Sequence, residues 1–531
     1  MKIIVAEKIS SSAIDLLKEE ARWTVITHEQ LNGNLAGQVE SADALIVRSA
    51  VYVDSALLEH ARKLRVIGRA GVGVDNIDLE AATRKGIAVM NTPGANAVAV
   101  AEHTFGLMLS LARHLSRADA TTHAGKWEKK TLQGTELRGK TLGIVGLGRI
   151  GLEVAKRGRA FGMKVIAHDP FLSTAVAREQ AIRLCDLDEL YRESDYLTLH
   201  VALTPQTAHM ITAESLPRLK RGARLINCAR GELVDAAALS EALKSGHLAG
   251  AGLDVFEQEP PKGSPLLELP NVVLTPHIGG STHEAQEAVG YQIAQQIKEY
   301  LKHGVIQNAV NVPSVSQEEY LQMQPYIVLA ERLGGFVAQI TEGSPQEISL
   351  RYTGAIAEWK TELIRNAAIK GVLNQTVSEN ANLVNAAALA ESCGVPVHEA
   401  RKNQGAGGAG NVISLLLKTA AQECLVKGTV LHGESPRLLA VDDIDVEAPL
   451  ERNLIFLRNR DVPGVIGKIG TALGEQNINI ADFSLGRRAR QGDGGVREAI
   501  AVVHVDSRTT DNVLQELRKV PAVEYARAIR L

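Results

Sequence analysis

The stretch TLGIVGLGRIG at residues 141–151 decides how this chain folds, because a short apolar run leads into three glycines spaced G-x-G-x-x-G. The run predicts a buried strand and residues 152–161 predict a helix, so the glycines fall at a strand-to-helix turn. Gly146 would permit the tight turn, Gly148 would let a pyrophosphate approach the backbone, and Gly151 would let the helix pack on the strand. Such a turn predicts dinucleotide binding only in this context, since an isolated glycine-rich turn is usually a plain connection.

The residues after the turn narrow the choice of dinucleotide. The peptide N–H groups of Arg149 and Ile150 would point at the phosphates from the start of the helix. Asp169 ends the next apolar strand, 164–168, about 20 positions on, where a carboxylate would hold the ribose hydroxyls. Asp169 would also repel a 2′-phosphate, and no arginine follows it directly, which favours NAD over NADP.

The bulk composition excludes several classes of protein. A chain of 531 residues predicts three or four domains. With 58 Lys and Arg against 61 Asp and Glu, the net charge of −3 argues against a nucleic-acid partner. The four cysteines are far apart and lack a C-x-x-C pair, so neither a disulfide framework nor a metal site is expected. Charged residues interrupt the longest apolar stretch, 95–115, and no signal peptide precedes the first strand, so we expect no membrane span and a cytoplasmic location.

The first part of the chain alternates apolar runs of strand length with amphipathic segments, which predicts βαβ units and a parallel sheet. Ligands collect at the carboxyl ends of the strands in such sheets. Arg48 follows the third predicted strand and the glycine loop 71–76 follows the fourth. An arginine is usually a surface residue, but this placement makes Arg48 a candidate for binding a carboxylate or phosphate.

The dinucleotide fold continues after Asp169 with four more predicted strands, 196–201, 223–228, 250–255 and 272–274, which makes six in all. The helix predicted over 96–113 is too apolar to lie on a wet surface, so it either crosses between domains or is buried in a dimer. A helix running to about residue 301 would return the chain to the first domain and make that domain discontinuous.

Three polar residues follow the last three of these strands. Arg230, Glu259 and His277 come after successive strand ends of one cofactor-binding sheet. A neutral histidine can take the hydroxyl proton of a secondary alcohol while its hydride leaves, and a carboxylate can orient the ring. An arginine can hold a carboxylate beside the reacting carbon. Taken singly they could be a surface ion pair, a loop residue and a buried histidine, but together they predict a dehydrogenase site.

The C-terminal half changes pattern twice. From 309 to 449 strands such as 347–352 alternate with helices such as 355–373, and the glycine-rich stretch 405–410 predicts a plain connection. Beyond 451 the order is βαββαβ, with a polar hairpin at 486–495, which predicts a ferredoxin-like module.

Segments 145–151, 227–232, 254–260 and 275–280 resemble the signatures of D-isomer-specific 2-hydroxyacid dehydrogenases. Segments 47–49 and 69–76, with Asn96, narrow the resemblance to the phosphoglycerate-oxidising branch of that family in its long form. The resemblance implies an α/β fold in which a doubly wound Rossmann domain (96–286) is inserted in a flavodoxin-like substrate domain (1–95 and 287–308). An α+β intervening domain (309–449) and a ferredoxin-like amino-acid-binding ACT domain (450–531) would follow.

The same resemblance implies NAD-dependent oxidation of 3-phospho-D-glycerate to 3-phosphohydroxypyruvate, the first committed step of serine synthesis. Arg230, Glu259 and His277 would be the catalytic residues. The implied cofactor contacts, several through the backbone, are Gly146, Gly148, Arg149, Ile150, Gly151, Asp169, Val201, Cys228, Arg230, Asp254, His277 and Gly279. The implied substrate contacts are Arg48, Gly73, Val74, Asn96, Arg230 and His277.

Regulation and assembly are also implied. Asn459, Asp461 and Asn479 resemble the family's serine-binding residues, so L-serine is a possible effector. A homo-oligomer, dimer or tetramer, is expected, in which Lys129 and Lys130 would reach a neighbour's phosphate pocket. Two alternatives stay open: a dehydrogenase of glycerate, hydroxypyruvate or 2-hydroxyglutarate, and a non-enzymatic NAD-sensing corepressor.

Overall fold

A computed structural model describes residues 1–377, 380–402, 410–488 and 497–531. It contains four sheets, two of them wholly parallel and two largely or wholly antiparallel, which follow one another along the chain. The exact limits of the four domains stay a prediction.

The first sheet has five parallel strands in the order β2-β1-β3-β4-β5. Its strands are short and fully apolar in the centre, as expected when helices cover both faces. The elements are β1 (Lys2–Val5), α1 (Ser11–Lys18), β2 (Thr24–Ile26), α2 (His28–Leu31), α3 (Leu35–Val39), β3 (Ala44–Val47), α4 (Ser55–His60), β4 (Val66–Arg69), α5 (Leu79–Arg84) and β5 (Ala88–Met90).

The second sheet has seven parallel strands in the order β12-β11-β10-β9-β6-β7-β8. The prediction of six strands was therefore one short, because the two-residue edge strand β8 shows no apolar run in the sequence. The elements are α6 (Ala97–Arg113), α7 (Leu115–His123), β6 (Thr141–Val145), α8 (Arg149–Ala160), β7 (Lys164–His168), α9 (Thr174–Glu179), β8 (Arg183–Leu184), α10 (Leu187–Glu193), β9 (Tyr196–Leu199), β10 (Arg224–Asn227), α11 (Ala236–Lys244), β11 (Gly250–Leu253), β12 (Val272–Leu274) and α12 (His283–His303).

Two long helices join these sheets. The apolar helix α6 packs against strands β10–β12 and α8, and this burial within its own chain accounts for its composition. Helix α12 runs back to the first sheet, where it contacts α1 and β4, and Ile293 and Ile297 enter the same core as Ile3 and Val5. The chain therefore leaves the first sheet, builds the second and returns.

The third sheet, in the order β14-β13-β15-β16-β17-β18, is antiparallel except for the parallel β13–β14 pair. The predicted alternation was wrong in its second half, where the described residues from 397 to 449 form five strands and no helix. The predicted helix 355–373 is a short 3-10 turn followed by α14, because Trp359 adopts an extended conformation and packs edge-on against Tyr326. The elements are α13 (Gln317–Ile340), β13 (Pro345–Thr353), α14 (Glu362–Thr376), α15 (Ala386–Ser392), β14 (Val397–Lys402), β15 (Val412–Thr419), β16 (Glu423–Leu431), β17 (Ser435–Val441) and β18 (Ile444–Pro449).

The fourth sheet has the ferredoxin-like order β20-β21-β19-β22, with antiparallel neighbours throughout. Its elements are β19 (Asn453–Arg460), α16 (Val465–Glu475), β20 (Ile480–Arg487), β21 (Glu498–Val505), α17 (Asp511–Arg518) and β22 (Val523–Arg530). The tip of the predicted 486–495 hairpin, from 489, and residues 405–409 of the glycine-rich stretch lie outside the described residues. Among the helices that the structure describes, none is long and apolar enough to cross a membrane.

Candidate active site

The glycine turn connects β6 to α8 at the carboxyl edge of the second sheet. Gly146 has a φ of +90°, which other residues rarely adopt. A methyl group at Gly151 would lie 2.1 Å from the Gly146 carbonyl oxygen, so the helix packs directly on the turn. Gly148 is the N-cap residue of α8, offers no side-chain cap, and borders open space. The first N–H groups of α8 are therefore left for an anion, as a pyrophosphate requires.

Asp169 lies at the carboxyl end of β7, next to this turn. Its carboxylate accepts hydrogen bonds from the peptide nitrogens of Leu147 at 2.7 Å, Phe171 at 2.9 Å and Leu172 at 3.2 Å. The three bonds fix the carboxylate beside the glycine turn, and the oxygens keep acceptor capacity for ribose hydroxyls. The turn, the uncapped helix and the fixed carboxylate together fit a dinucleotide.

Two titratable groups with little exposure to solvent follow the neighbouring strands β9 and β10. Burial lowers the pKa of His200 to about 3, so its imidazole stays neutral beneath the turn, with Nε2 2.9 Å from the Thr198 hydroxyl. Burial raises the pKa of Cys228 to about 12, so its thiol stays protonated. Val201 lies close to Gly146: a methyl group added at Gly146 would be 2.8 Å from the Cγ1 of Val201.

Strands β10, β11 and β12 are parallel neighbours, so their carboxyl ends meet at the same edge. Backbone hydrogen bonds continue past the strands, from Asp254 N to Asn227 O and from Thr275 N to Leu253 O. The segments carrying Arg230, Glu259 and His277 are therefore adjacent. A methyl group at Gly231 would lie 1.9 Å from the Phe256 carbonyl carbon, so the arginine loop and the glutamate loop touch through main-chain atoms.

His277 and Glu259 form a direct pair, with 2.8 Å between Nδ1 and Oε2. Their side chains are half exposed, at 50% and 40%. Because a carboxylate can only accept, Nδ1 carries the proton, and the Nε2 of a neutral ring is then free to accept another. The Glu259 carboxylate is itself oriented by the peptide nitrogen of Phe256, 3.2 Å from Oε1.

Asp254 is almost fully buried below this pair and holds the segment that carries His277. Its carboxylate accepts hydrogen bonds from the Thr275 hydroxyl at 2.6 Å, Ile278 N at 2.9 Å and Gly279 N at 2.8 Å. Burial alone would raise the pKa of the Asp254 carboxyl, but hydrogen bonds from His103, Thr275 and the two peptide nitrogens outweigh burial and lower it. The carboxylate is therefore ionised and fully engaged.

Arg230 reaches across to the glycine loop of the first sheet. Its Nε lies 3.0 Å from the Asp75 carboxylate, and a methyl group at Gly73 would be 1.8 Å from its Nη2. Asn227 supports the backbone of the arginine loop by donating to the Arg230 carbonyl at 2.7 Å. The predicted substrate residues Arg230 and Gly73, from different sheets, are thus in contact.

Arg69 is a further residue of this cleft, which the sequence interpretation left without a role. Burial, and then the nearby charge of Arg230, lower its pKa to about 10. The Nε of Arg69 is buried without a hydrogen-bond partner in the described part of the chain. The sequence could have indicated a ligand-binding role for Arg69, because this residue ends β4 directly before the glycine loop.

The other predicted substrate residues lie on the loops around this cleft. The Glu7 carboxylate accepts from the peptide nitrogens of Arg48, Ala50 and Val51. The Arg48 guanidinium donates to the Lys8 carbonyl oxygen at 3.2 Å through Nη1, and its other N–H groups face no described partner and could bind a ligand. Asn96 caps α6, and its buried Oδ1 has no partner among the described residues. Val74 is half-buried in the glycine loop.

Some predicted residues are not brought together within one chain. Lys129 and Lys130 are exposed on the segment after α7. Asp461 follows β19 and Asn479 precedes β20, and both strands run antiparallel to β21, so the two residues lie at opposite ends of the sheet. Asn459 is fully buried, with its Oδ1 unpartnered among the residues described. Within the described residues, no group of three or more His, Cys, Asp or Glu side chains could hold a metal ion.

Three family models match the chain: the NAD-binding domain of D-isomer specific 2-hydroxyacid dehydrogenases over 105–279, the D-3-phosphoglycerate dehydrogenase intervening domain over 322–442, and the ACT domain over 453–522. The D-3-phosphoglycerate dehydrogenase of Methanocaldococcus jannaschii is 41% identical over 532 residues and covers 100% of both chains. The chain belongs to the D-3-phosphoglycerate dehydrogenase family. The enzyme of that name from Synechocystis sp. is 40% identical over 100% of this chain and 95% of its own.

A solved structure extends the comparison to the cofactor. The NAD-dependent formate dehydrogenase of Staphylococcus aureus, in complex with NAD, is 30% identical, with a TM-score of 0.53 over 59% of this chain and 100% of that chain. The predicted family and fold are confirmed. As a member of the D-3-phosphoglycerate dehydrogenase family, the protein is an NAD-dependent oxidoreductase with an ACT domain.

Proposed function

We propose that the protein oxidises 3-phospho-D-glycerate to 3-phosphohydroxypyruvate, with NAD as hydride acceptor, in the first step of serine synthesis. The full-length relatives carry the name of this activity. The single observation that carries the choice of substrate is the cationic cleft formed by Arg48, Arg69 and Arg230, whose charges influence one another. A substrate with both a carboxylate and a phosphate matches several guanidinium groups better than an acid with one carboxylate does.

In this proposal His277 is the acid/base residue. Its Nδ1–H donates to Glu259, so Nε2 accepts the proton of the substrate C2 hydroxyl as the carbonyl forms. The carboxylate of Glu259 keeps the ring in this tautomer and stabilises the imidazolium that results. In the reverse direction the imidazolium returns the proton to the carbonyl oxygen.

Arg230 holds the substrate carboxylate and stabilises the developing carbonyl oxygen, while Arg48 and Arg69 hold the phosphate. The peptide N–H groups of Gly73 and Val74 and the side-chain NH2 of Asn96 would complete the substrate contacts as donors. NAD, when bound, supplies the carbon that accepts the hydride from C2. Gly146, Gly148, Arg149, Ile150 and Gly151 would hold its pyrophosphate, Asp169 its adenosine ribose, and the backbone around Val201, Cys228, Asp254 and Gly279 its nicotinamide end.

Steady-state kinetics test the substrate. NADH formation should be much faster with 3-phospho-D-glycerate than with D-glycerate or 2-hydroxyglutarate, and reduction should favour 3-phosphohydroxypyruvate over hydroxypyruvate. Equal kcat/KM values for phosphorylated and unphosphorylated acids would reject the choice in favour of another D-2-hydroxyacid. Partner binding without turnover would instead favour an NAD-sensing corepressor.

We also propose a cytoplasmic homo-oligomer, dimer or tetramer. The support is three exposed apolar side chains spread along α6, α7 and the following segment, namely Val98, Leu115 and Trp127. Lys129 and Lys130 are next to Trp127 and would reach a neighbour's phosphate pocket. Light scattering should give a multiple of 56.9 kDa, and Trp127→Glu with Leu115→Glu should lower it; a wild-type monomer would contradict the proposal.

We further propose that L-serine binds between the ACT domains of two chains and shifts the equilibrium between subunit arrangements. Asn459 and Asp461 would come from one chain and Asn479 from the other. The eight residues of β20 put Asp461 and Asn479 about 25 Å apart within one chain. Serine should inhibit the wild type, and Asn479→Ala should relieve the inhibition without changing basal turnover; absence of serine binding by calorimetry would reject the proposal.

A further inference from the structure

The backbone of His277 adopts an unfavourable conformation, which the surrounding structure has to stabilise. Its φ of +54° lies in the left-handed region, which residues other than glycine and asparagine rarely occupy. Its peptide nitrogen donates to the Asp254 carbonyl oxygen at 2.8 Å, and the next two nitrogens donate to the Asp254 carboxylate. The backbone of the proposed base therefore depends on the placement of one buried carboxylate.

His103, on α6, contacts the same carboxylate. Its Nε2 lies 3.2 Å from Asp254 Oδ1 and 3.0 Å from the Thr275 hydroxyl oxygen, and its side chain is 19% exposed. The Thr275 hydroxyl already donates its hydrogen to Asp254. Both partners of Nε2 can therefore only accept, which requires that Nε2 carries a proton and donates it to them.

We propose that His103 is a positioning residue for the hydride-transfer reaction. Through its Nε2–H it holds the Asp254 carboxylate and the Thr275 hydroxyl, and these hold the strained 275–279 segment in the conformation that aims His277. The inference rests on the proposed function, because its kinetic readout is oxidation of 3-phospho-D-glycerate. The proposed positioning residue lies on α6. In the described contacts His103 touches neither Glu259 nor the His277 ring.

Removing this donor has two consequences. Asp254 would lose one of the hydrogen bonds that stabilise its charge in a buried setting, and such a loss is costly. The segment would then relax from the left-handed conformation at His277, and small displacements of a catalytic group reduce turnover strongly. Affinity for NAD would change less, since only the proposed contacts at Asp254 and Gly279 belong to this segment, whereas the glycine turn and Asp169, proposed to hold the pyrophosphate and the ribose, are on other strands.

The experiment compares His103→Leu, which lacks a donor, with His103→Gln, whose amide keeps one. His247→Leu is the matched control, because His247 is a half-buried histidine of the same domain with a single Nε2 contact, 3.0 Å from the Leu216 carbonyl. His103→Leu should lower kcat about 10-fold or more, with KM for NAD within about 2-fold. His103→Gln should restore most of kcat, and His247→Leu should leave kcat within about 2-fold at a comparable loss in Tm.

Hydrogen–deuterium exchange provides a readout that needs no substrate. Exchange over 275–281 should increase in His103→Leu and return towards the wild-type rate in His103→Gln. Unchanged kcat in His103→Leu, a loss that glutamine does not restore, or unchanged exchange over 275–281 would overturn the inference. A wild type that fails to oxidise 3-phospho-D-glycerate would reject the proposed function, and the exchange data would still decide the role of His103.

Discussion

The second sheet and the ACT sheet place their candidate residues in opposite ways. In the second sheet β10, β11 and β12 are parallel neighbours, so residues that follow them along the chain meet at one edge. In the ACT sheet β21 separates β19 from β20, and Asp461 and Asn479 lie at opposite ends. The difference teaches that order along the chain becomes proximity in a parallel sheet, whereas in a sheet of the ACT order residues that flank two strands can lie at opposite ends.

The largest effect should come from the histidine of the parallel edge. His277→Ala should lower kcat for 3-phospho-D-glycerate by at least about 100-fold, because it removes the general base. The matched control is His504→Ala in the ACT sheet, where His504 lies 3.7 Å from Glu451 in a similar histidine–glutamate pair. This control should keep wild-type basal turnover. Near-normal turnover in His277→Ala would refute the assigned base and remove the contrast between the sheets.

The next effect concerns the arginine that the sequence interpretation left out. Arg69→Gln should raise KM for 3-phospho-D-glycerate by roughly 10-fold to 100-fold, the range for a hydrogen bond to a charged group. KM for D-glycerate should change much less, since that acid has no phosphate. Arg65→Gln is the control, because Arg65 is exposed and lies over the Tyr300 ring at 5.5 Å. Equal effects on both substrates would place Arg69 outside the phosphate site.

A smaller effect should come from the carboxylate that follows β7 beside the glycine turn. Asp169→Asn should raise KM for NAD about 10-fold and improve the relative use of NADP, because one charged acceptor is lost and a repulsive charge disappears. Asp186→Asn serves as control, since Asp186 caps α10 with a hydrogen bond to Glu189 N at 2.7 Å. Unaltered discrimination between NAD and NADP in Asp169→Asn would contradict the role given to this carboxylate.

The smallest effect is on stability. The pKa of His200 is about 3 in the folded protein, against about 6.5 in an unfolded chain. Between these values the unfolded chain binds the proton and the folded chain does not, so stability falls as pH decreases through the window. The slope is at most about 1.4 kcal/mol per pH unit. His200→Gln should flatten the decline in denaturation midpoint from pH 7 to 4.5, whereas replacing the exposed His209 should not; parallel curves would be contrary evidence.

The fold could be predicted where local patterns and topology agree. Apolar strands, a glycine turn and a terminal aspartate define one Rossmann arrangement, so the parallel sheets and the neighbourhood of Arg230, Glu259 and His277 could be inferred from the sequence. The edge strand β8 was missed because two residues carry no periodic signal. The break before α14 was missed because it depends on Trp359 packing against Tyr326, a contact between distant segments.

The same limit applies to the site. Arg69 and Asp75 stand in a recognisable loop, but their relation to Arg230 arises only when the two sheets face each other. The three groups that donate to Glu7 are peptide nitrogens, and every residue but proline has one, so the sequence does not indicate which of them bind the carboxylate. The predicted effector residues Asp461 and Asn479 resembled a known pattern, yet their separation follows from the order of the strands in the sheet rather than from their spacing along the chain.

The contact of Gly231 with the Phe256 carbonyl joins the loop of Arg230 to the loop that leads to Glu259 through main-chain atoms. The spacing between the loop of the arginine proposed to bind the substrate carboxylate and the loop of the glutamate proposed to support the base is therefore set by contact between main-chain atoms. The loops of Arg48 and Arg69 belong to the other sheet, whose Asp75 contacts the Arg230 side chain at 3.0 Å. In the proposed site, phosphate recognition therefore lies on the first sheet, whereas carboxylate recognition and the base lie together on the second.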